Sequence, residues 1–315
     1  MNRFASLVVL LALPLLAALV GTAHAQMATA DLVPAAPRIY HPFALGFSTP
    51  NIAPENPAAL AWGAPSRVAA GMLDGTVEDN QAPFTSSDVS GNYLGGRFVG
   101  PTFGFALERQ STKQDSAGFV TEDTSSELQA SLRVGEWLAL GLGMGDYSRD
   151  AGGFVTDIGR IQYGATVRLA EVFYVGVLAF KDSLEQLGTS TERSGTGFGL
   201  ALRTQGPWQW YLAYDALDLP DFPVVTADTG FKSSTITAQV NAGGFLLGVS
   251  KADVTRNYDG GGPSDITSTN VDVGWVPMAG FALSLRSSKT DLVDNIGATT
   301  DESVKFSALA VSWLF

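Results

Sequence analysis

From Ser66 to Phe315 the chain alternates apolar and polar positions in segments of about the length a tilted spanning strand needs, ~9–11 residues. The segments are 66–73, 91–99, 102–110, 125–134, 137–147, 157–169, 173–182, 195–204, 208–217, 231–240, 243–254, 266–276, 280–290 and 303–315. The pattern predicts fourteen antiparallel strands, an even number that suits a single-chain barrel with both ends on one side. The last segment shows the alternation best. Phe315, Trp313, Val311 and Leu309 share one face, and Leu314, Ser312, Ala310 and Ala308 share the other. A lipid-facing apolar row backed by a small, more polar lumen row is what period-two strands need at a bilayer.

The connections alternate in length. Short ones fall near Gly100-Pro101, Gly135-Glu136, Ala170–Val172, Gln205–Pro207, Asn241-Ala242 and Pro277–Ala279. Long ones cover 74–90, 111–124, 148–156, 183–194, 218–230, 255–265 and 291–302, as expected of periplasmic turns and extracellular loops. Trp137, Trp208, Trp210, Trp275 and Trp313 collect at the short-turn end, the pattern of an interfacial aromatic girdle. Acid collects at the other end, where the long windows hold 19 of the 31 Asp and Glu residues. Asp259, before Gly260-Gly261-Gly262, invites a cation site, but no loop has dedicated calcium-ligand spacing, so a solvated acidic surface is expected.

Composition narrows the class further. Cysteine is absent, which removes disulfides, thiol chemistry and thiolate metal sites; no metal or other cofactor is expected. A net charge of −12 argues against a nucleic-acid partner. Arg3, the apolar run Ser6 to Val20 and the small-x-small site Ala23-His24-Ala25 predict a signal peptide over 1–25, with the mature chain starting at Gln26. The expected organisation is that signal, an N-terminal hatch or plug over 26–65, and an all-β transmembrane barrel over 66–315.

Fixing the lipid face assigns the opposite rows to the interior. Arg97, Arg133, Arg160, Arg203, Asp215 and Asp272 are the candidate lumen charges, with Arg67, Arg168, Arg286, Glu108 and Glu127 among their neighbours. Small rows such as Gly141, Gly143, Gly145 and Gly197, Gly199, Ala201 leave room for something to enter the bore. Tyr174, Leu178, Phe180, Tyr211, Leu217 and Phe306 form an apolar interior set, read either as a patch for a hydrophobic ligand or as packing against a plug.

Residues 26–65 lack strand periodicity and are rich in Ala and Pro. Near their end stands Asn56-Pro57-Ala58-Ala59-Leu60-Ala61, in which Pro57 can open a short helix. This Asn-Pro-Ala-x-Leu-Ala sequence, just before the first of the strands, resembles the hatch motif of the FadL family of outer-membrane transporters for hydrophobic compounds. Asn56, Pro57 and Ala58 match it, and the chain is similar to a short, divergent member. The terminal Trp313 and Phe315 resemble the signal read by the barrel-assembly machinery.

The resemblance implies a barrel in the outer membrane, surrounded by lipid and lipopolysaccharide, that passes small hydrophobic or amphipathic molecules through a plugged bore. It also implies sideways release through a gap in the wall, for which a bend at Gly95-Gly96 or Gly104 is the candidate. The alternatives are a water-filled diffusion porin and a non-transporting scaffold for secretion or surface assembly. An enzyme is not expected: after the signal the chain has one histidine, His41, and outer-membrane hydrolases need a proton-transfer partner for their nucleophile.

Overall fold

The computed structural model describes residues 56–62, 66–79, 86–116, 119–170, 172–186, 189–204, 208–220, 231–256, 264–278, 280–294 and 301–314. The expected signal peptide, most of the 26–65 segment, His41, Asp259 and Phe315 lie outside these residues.

The described strands are β1 (Arg67–Asp79), β2 (Ser86–Val99), β3 (Phe103–Ser116), β4 (Phe119–Val134), β5 (Leu138–Ala151), β6 (Phe154–Leu169) and β7 (Phe173–Gln186). They continue as β8 (Thr189–Arg203), β9 (Trp208–Leu219), β10 (Phe231–Ala242), β11 (Phe245–Arg256), β12 (Ser264–Met278), β13 (Phe281–Asp294) and β14 (Asp301–Leu314). Each pairs antiparallel with its sequence neighbours, and β1 pairs with β14 from Arg67↔Leu314 to Asp79↔Glu302, closing the cylinder. Closure satisfies every strand edge internally, which a spanning sheet requires because hydrocarbon offers no hydrogen-bond partner.

The alternation sorts the two faces as the sequence pattern predicts. Leu94, Leu140, Leu142, Ile236, Leu247 and Leu285 stand exposed on the outer wall, while Arg97, Gln129, Gln162, Asp272 and Arg286 are buried inside. On β14, Leu309 and Trp313 face out and Ala308, Ala310 and Ser312 face in. The short-turn end carries its exposed aromatic girdle, with Phe245 stacked on Trp275 and Phe281 set edge-on to Trp313.

The long connections differ from expectation. Much of the 111–124, 148–156 and 183–194 windows is strand. The β3–β4 ladder runs to Ser116↔Phe119, β5–β6 to Ala151↔Phe154 and β7–β8 to Gln186↔Thr189. These segments are rich in Ser, Thr, Asp and Glu on both faces, so the apolar alternation that marks a lipid-facing strand fades although pairing continues above the bilayer. At the β5–β6 tip, Gly152 (φ 63°) and Gly153 (φ 93°) take the left-handed conformations of a tight hairpin turn, and the Asp150 carboxylate accepts from the Gly153 amide at 2.8 Å. The β10–β11 turn also lies two residues later than predicted, at Gly243 (φ 55°) and Gly244 (φ 83°), because only that dipeptide supplies two positive φ angles without strain.

Candidate transport lumen

Residues Pro57–Trp62 form a short 3-10 helix, and it lies inside the barrel against β3, β4, β5 and β6. Pro57 opens it where a missing amide costs nothing. The Asn56 side chain caps it, accepting from the Ala58 amide at 3.1 Å through Oδ1. The same side chain donates through Nδ2 to the Val177 carbonyl at 3.0 Å and the Ala165 carbonyl at 3.3 Å, tying the helix to β6 and β7. Proline follows Asn56 directly and holds the amide cap and the wall contacts in one fixed geometry.

The wall makes room for this with glycine. A Cβ on Gly164 would collide with Asn56 Oδ1, and one on Gly141 would collide with the Pro57–Ala58 peptide. A Cβ on Gly104 would press against Leu60 at 3.1 Å. Leu60 packs with Ala69, Tyr93 and Ala106, and Ala58 and Ala61 pack with Ala139.

At its other end the helix leaves carbonyls without intrahelical partners. Arg133 donates to the Ala61 carbonyl at 2.6 Å and Arg203 to the Trp62 carbonyl at 3.4 Å. The Arg133 guanidinium also lies over the Trp62 ring at 4.7 Å, and Tyr174 meets that ring edge-on at 6.2 Å. Of the candidate lumen charges, Arg133 and Arg203 therefore hold the helix.

The others form ion pairs or pack within the wall. Asp272 accepts two bonds from Arg286, at 2.7 and 3.0 Å, with both side chains buried. Asp182 accepts two from Arg160, at 2.7 and 2.9 Å, and one from Arg193 at 3.2 Å. Gln129 donates to the Glu127 carboxylate at 2.7 Å, and Gln162 donates to the same oxygen. Asp215 fills the space left by Gly199. Arg97 stands opposite Arg67 in the β1–β2 ladder, and both are buried.

The apolar set divides. Leu178, Phe180 and Leu217 come together, and Leu219, Val254 and Ile266 complete a buried cluster toward the long-connection end of the bore. Tyr174 instead belongs to the helix contact, and Tyr211 faces Arg203 in the β8–β9 ladder. The Phe306 side chain lies outside the described residues. Glycine again sets the geometry: a Cβ on Gly195 would strike the Phe180 ring, and one on Gly197 would lie 3.0 Å from Leu217 Cδ1. Leu219 lies two residues past the predicted segment 208–217, where the apolar outer row has ended. Val254 and Ile266 end and begin their predicted segments, and their direct pairing across β11 and β12 was the signal that would have joined them to the set.

The wall near Gly95, Gly96 and Gly104 is unbroken. The β1–β2 ladder is continuous from Arg67↔Arg97 to Glu78↔Ser86, and β2–β3 from Asp88↔Asp115 to Val99↔Gly104. The expected bend there is replaced by packing, since Gly104 is small in order to receive Leu60. Among the described residues the β8–β9 ladder is the shortest, running from Thr196↔Asp218 to Arg203↔Tyr211. Phe180, Leu217 and Leu219 lie at its Thr196↔Asp218 end.

A closed fourteen-strand barrel with a short helix seated in its bore defines the class. No family model and no curated protein matches the chain. Solved structures do. The P. putida toluene transporter TodX is similar with a TM-score of 0.56 at 10% identity, over 85% of this chain and 95% of that one. A Pseudomonas aeruginosa FadL homologue gives 0.56 at 10%, over 86% and 95%, and the CymD monoaromatic hydrocarbon channel gives 0.57 at 10%, over 83% and 91%. The chain thus shares the fold of FadL-type barrels, among them these channels and transporters.

Proposed function

We propose that this chain is a divergent FadL-like channel of the bacterial outer membrane that passes small hydrophobic or amphipathic molecules without an energy source. The observation that carries the reading is the buried cluster of Leu178, Phe180, Leu217, Leu219, Val254 and Ile266 inside an otherwise charged bore. A constriction lined by such side chains sheds water and so resists ions and sugars, while an apolar solute exchanges one dry contact for another. Phe180 is the side chain that controls the path: its ring rests over its ladder partner Gly195, with the Arg160 guanidinium 4.4 Å from its centroid.

The helix at Pro57–Trp62 forms a second barrier at the aromatic-girdle end, held by Asn56, Arg133 and Arg203. We take the whole 26–65 segment as the hatch to which it belongs. Uptake of a monoaromatic hydrocarbon into vesicles bearing the folded barrel tests the proposal. Leu217→Arg, which places a charge in the constriction, is expected to cut that uptake by about tenfold or more. Equal uptake by the variant and the parent would remove the apolar path from the account. Sugar-driven swelling of the same vesicles by the parent chain would instead favour a diffusion porin.

A further inference from the structure

Lysine and arginine are segregated in this molecule. All six lysines, Lys113, Lys181, Lys232, Lys251, Lys289 and Lys305, stand exposed on the outer wall, toward the long-connection ends of their strands. The arginines with described side chains face the bore, Arg109 excepted. The chemistry of the two side chains explains the division. A planar guanidinium suits the fixed geometry of a packed lumen, whereas a compact ammonium on a flexible stem can lie along an apolar wall and reach a headgroup.

The belt has a focus. Lys289 of β13 and Lys305 of β14 are direct register partners and both point outward. They border a shallow depression of about 390 Å³ that also presents the hydroxyls of Ser287, Ser307 and Thr76, with Asp74 and Asp88 on its other side. Lys289 lies 2.8 Å from Asp291, but an exposed pair of this kind is weak and leaves further ammonium donors available. The two lysines sit four residues beyond Leu285 and Leu309, the last exposed apolar residues of their strands among the described side chains. For a tilted strand that is roughly 10 Å above the hydrocarbon edge, the depth of lipid phosphates.

We propose that this depression binds the phosphate-bearing sugar headgroup of an outer-leaflet glycolipid. The phosphate would sit between Lys289 and Lys305, and the sugar hydroxyls would meet Asp74, Asp88 and the serines. The inference does not depend on what the bore transports.

Native mass spectrometry of the full chain, folded in detergent and titrated with bis-phosphorylated lipid A, tests it. One lipid is expected to be retained. Lys289→Gln with Lys305→Gln should weaken retention by about tenfold or more, as should removal of the lipid phosphates. Lys181→Gln with Lys251→Gln, elsewhere in the belt, should change it by less than about twofold. Millimolar inorganic phosphate should leave the lipid bound. Heat-modifiable gel mobility verifies folding, and the single Lys305→Gln chain serves if the double variant does not fold. Undiminished retention by the variants, equal retention of phosphate-free lipid, equal loss in the control pair, or displacement by inorganic phosphate would each overturn the proposal.

Discussion

Asn56 does three things with one side chain, capping a helix through its oxygen and bonding two strand carbonyls through its nitrogen. Gly164 lets it reach the wall, so Gly164→Val should expel it. The chain has no native cysteine, which permits a clean test with Ala61→Cys, a buried position on the helix. We expect Ala61→Cys to react with a water-soluble maleimide at least about tenfold faster in the Gly164→Val background than alone. Unchanged labelling would show that Gly164 does not seat the helix. A second residue-scale prediction concerns Asp272. Asp272→Asn leaves the Arg286 guanidinium buried without its carboxylate and should cost about 3–5 kcal/mol, read as a lower urea midpoint for unfolding in micelles. The Asn-Pro-Ala triplet was legible in the sequence because a polar residue before proline marks a helix start. The partners of Asn56 were not, because backbone carbonyls on β6 and β7 leave no mark in side-chain patterning.

At the scale of elements, the number of strands was legible because each lipid-facing row must be apolar. Their upper ends were not, since pairing above the bilayer makes no demand on hydropathy. That difference moved the functional reading. Extending β9 to Leu219, and pairing β11 with β12 at Val254↔Ile266, joins Leu178, Phe180 and Leu217 to three more buried apolar side chains. Gly104 of β3, one of the glycines offered as a bend, instead makes room for Leu60. Phe180→Ala should widen the proposed constriction and admit water, raising ion leak through the barrel several-fold in planar bilayers, while Phe180→Leu should raise it much less. Equal leak from both variants and the parent would mean that the ring does not control the passage.

Over the whole molecule, the proposed function sets two barriers in series along one bore. One is a helix held by arginines at the girdle end, and the other an apolar cluster toward the acidic end. The solved structures of similar fold span most of this chain at about one identical residue in ten, so shape is preserved where residue identity is not. Shape follows from alternation, closure and turn chemistry, which many sequences satisfy; cargo follows from a few lumen side chains. The central claim is therefore tested most directly by the single-channel conductance of the full chain in planar bilayers. The account predicts no steady open level of nanosiemens size. A stable pore of that size would contradict it, because a bore with a dry constriction above a seated helix cannot carry such an ion current.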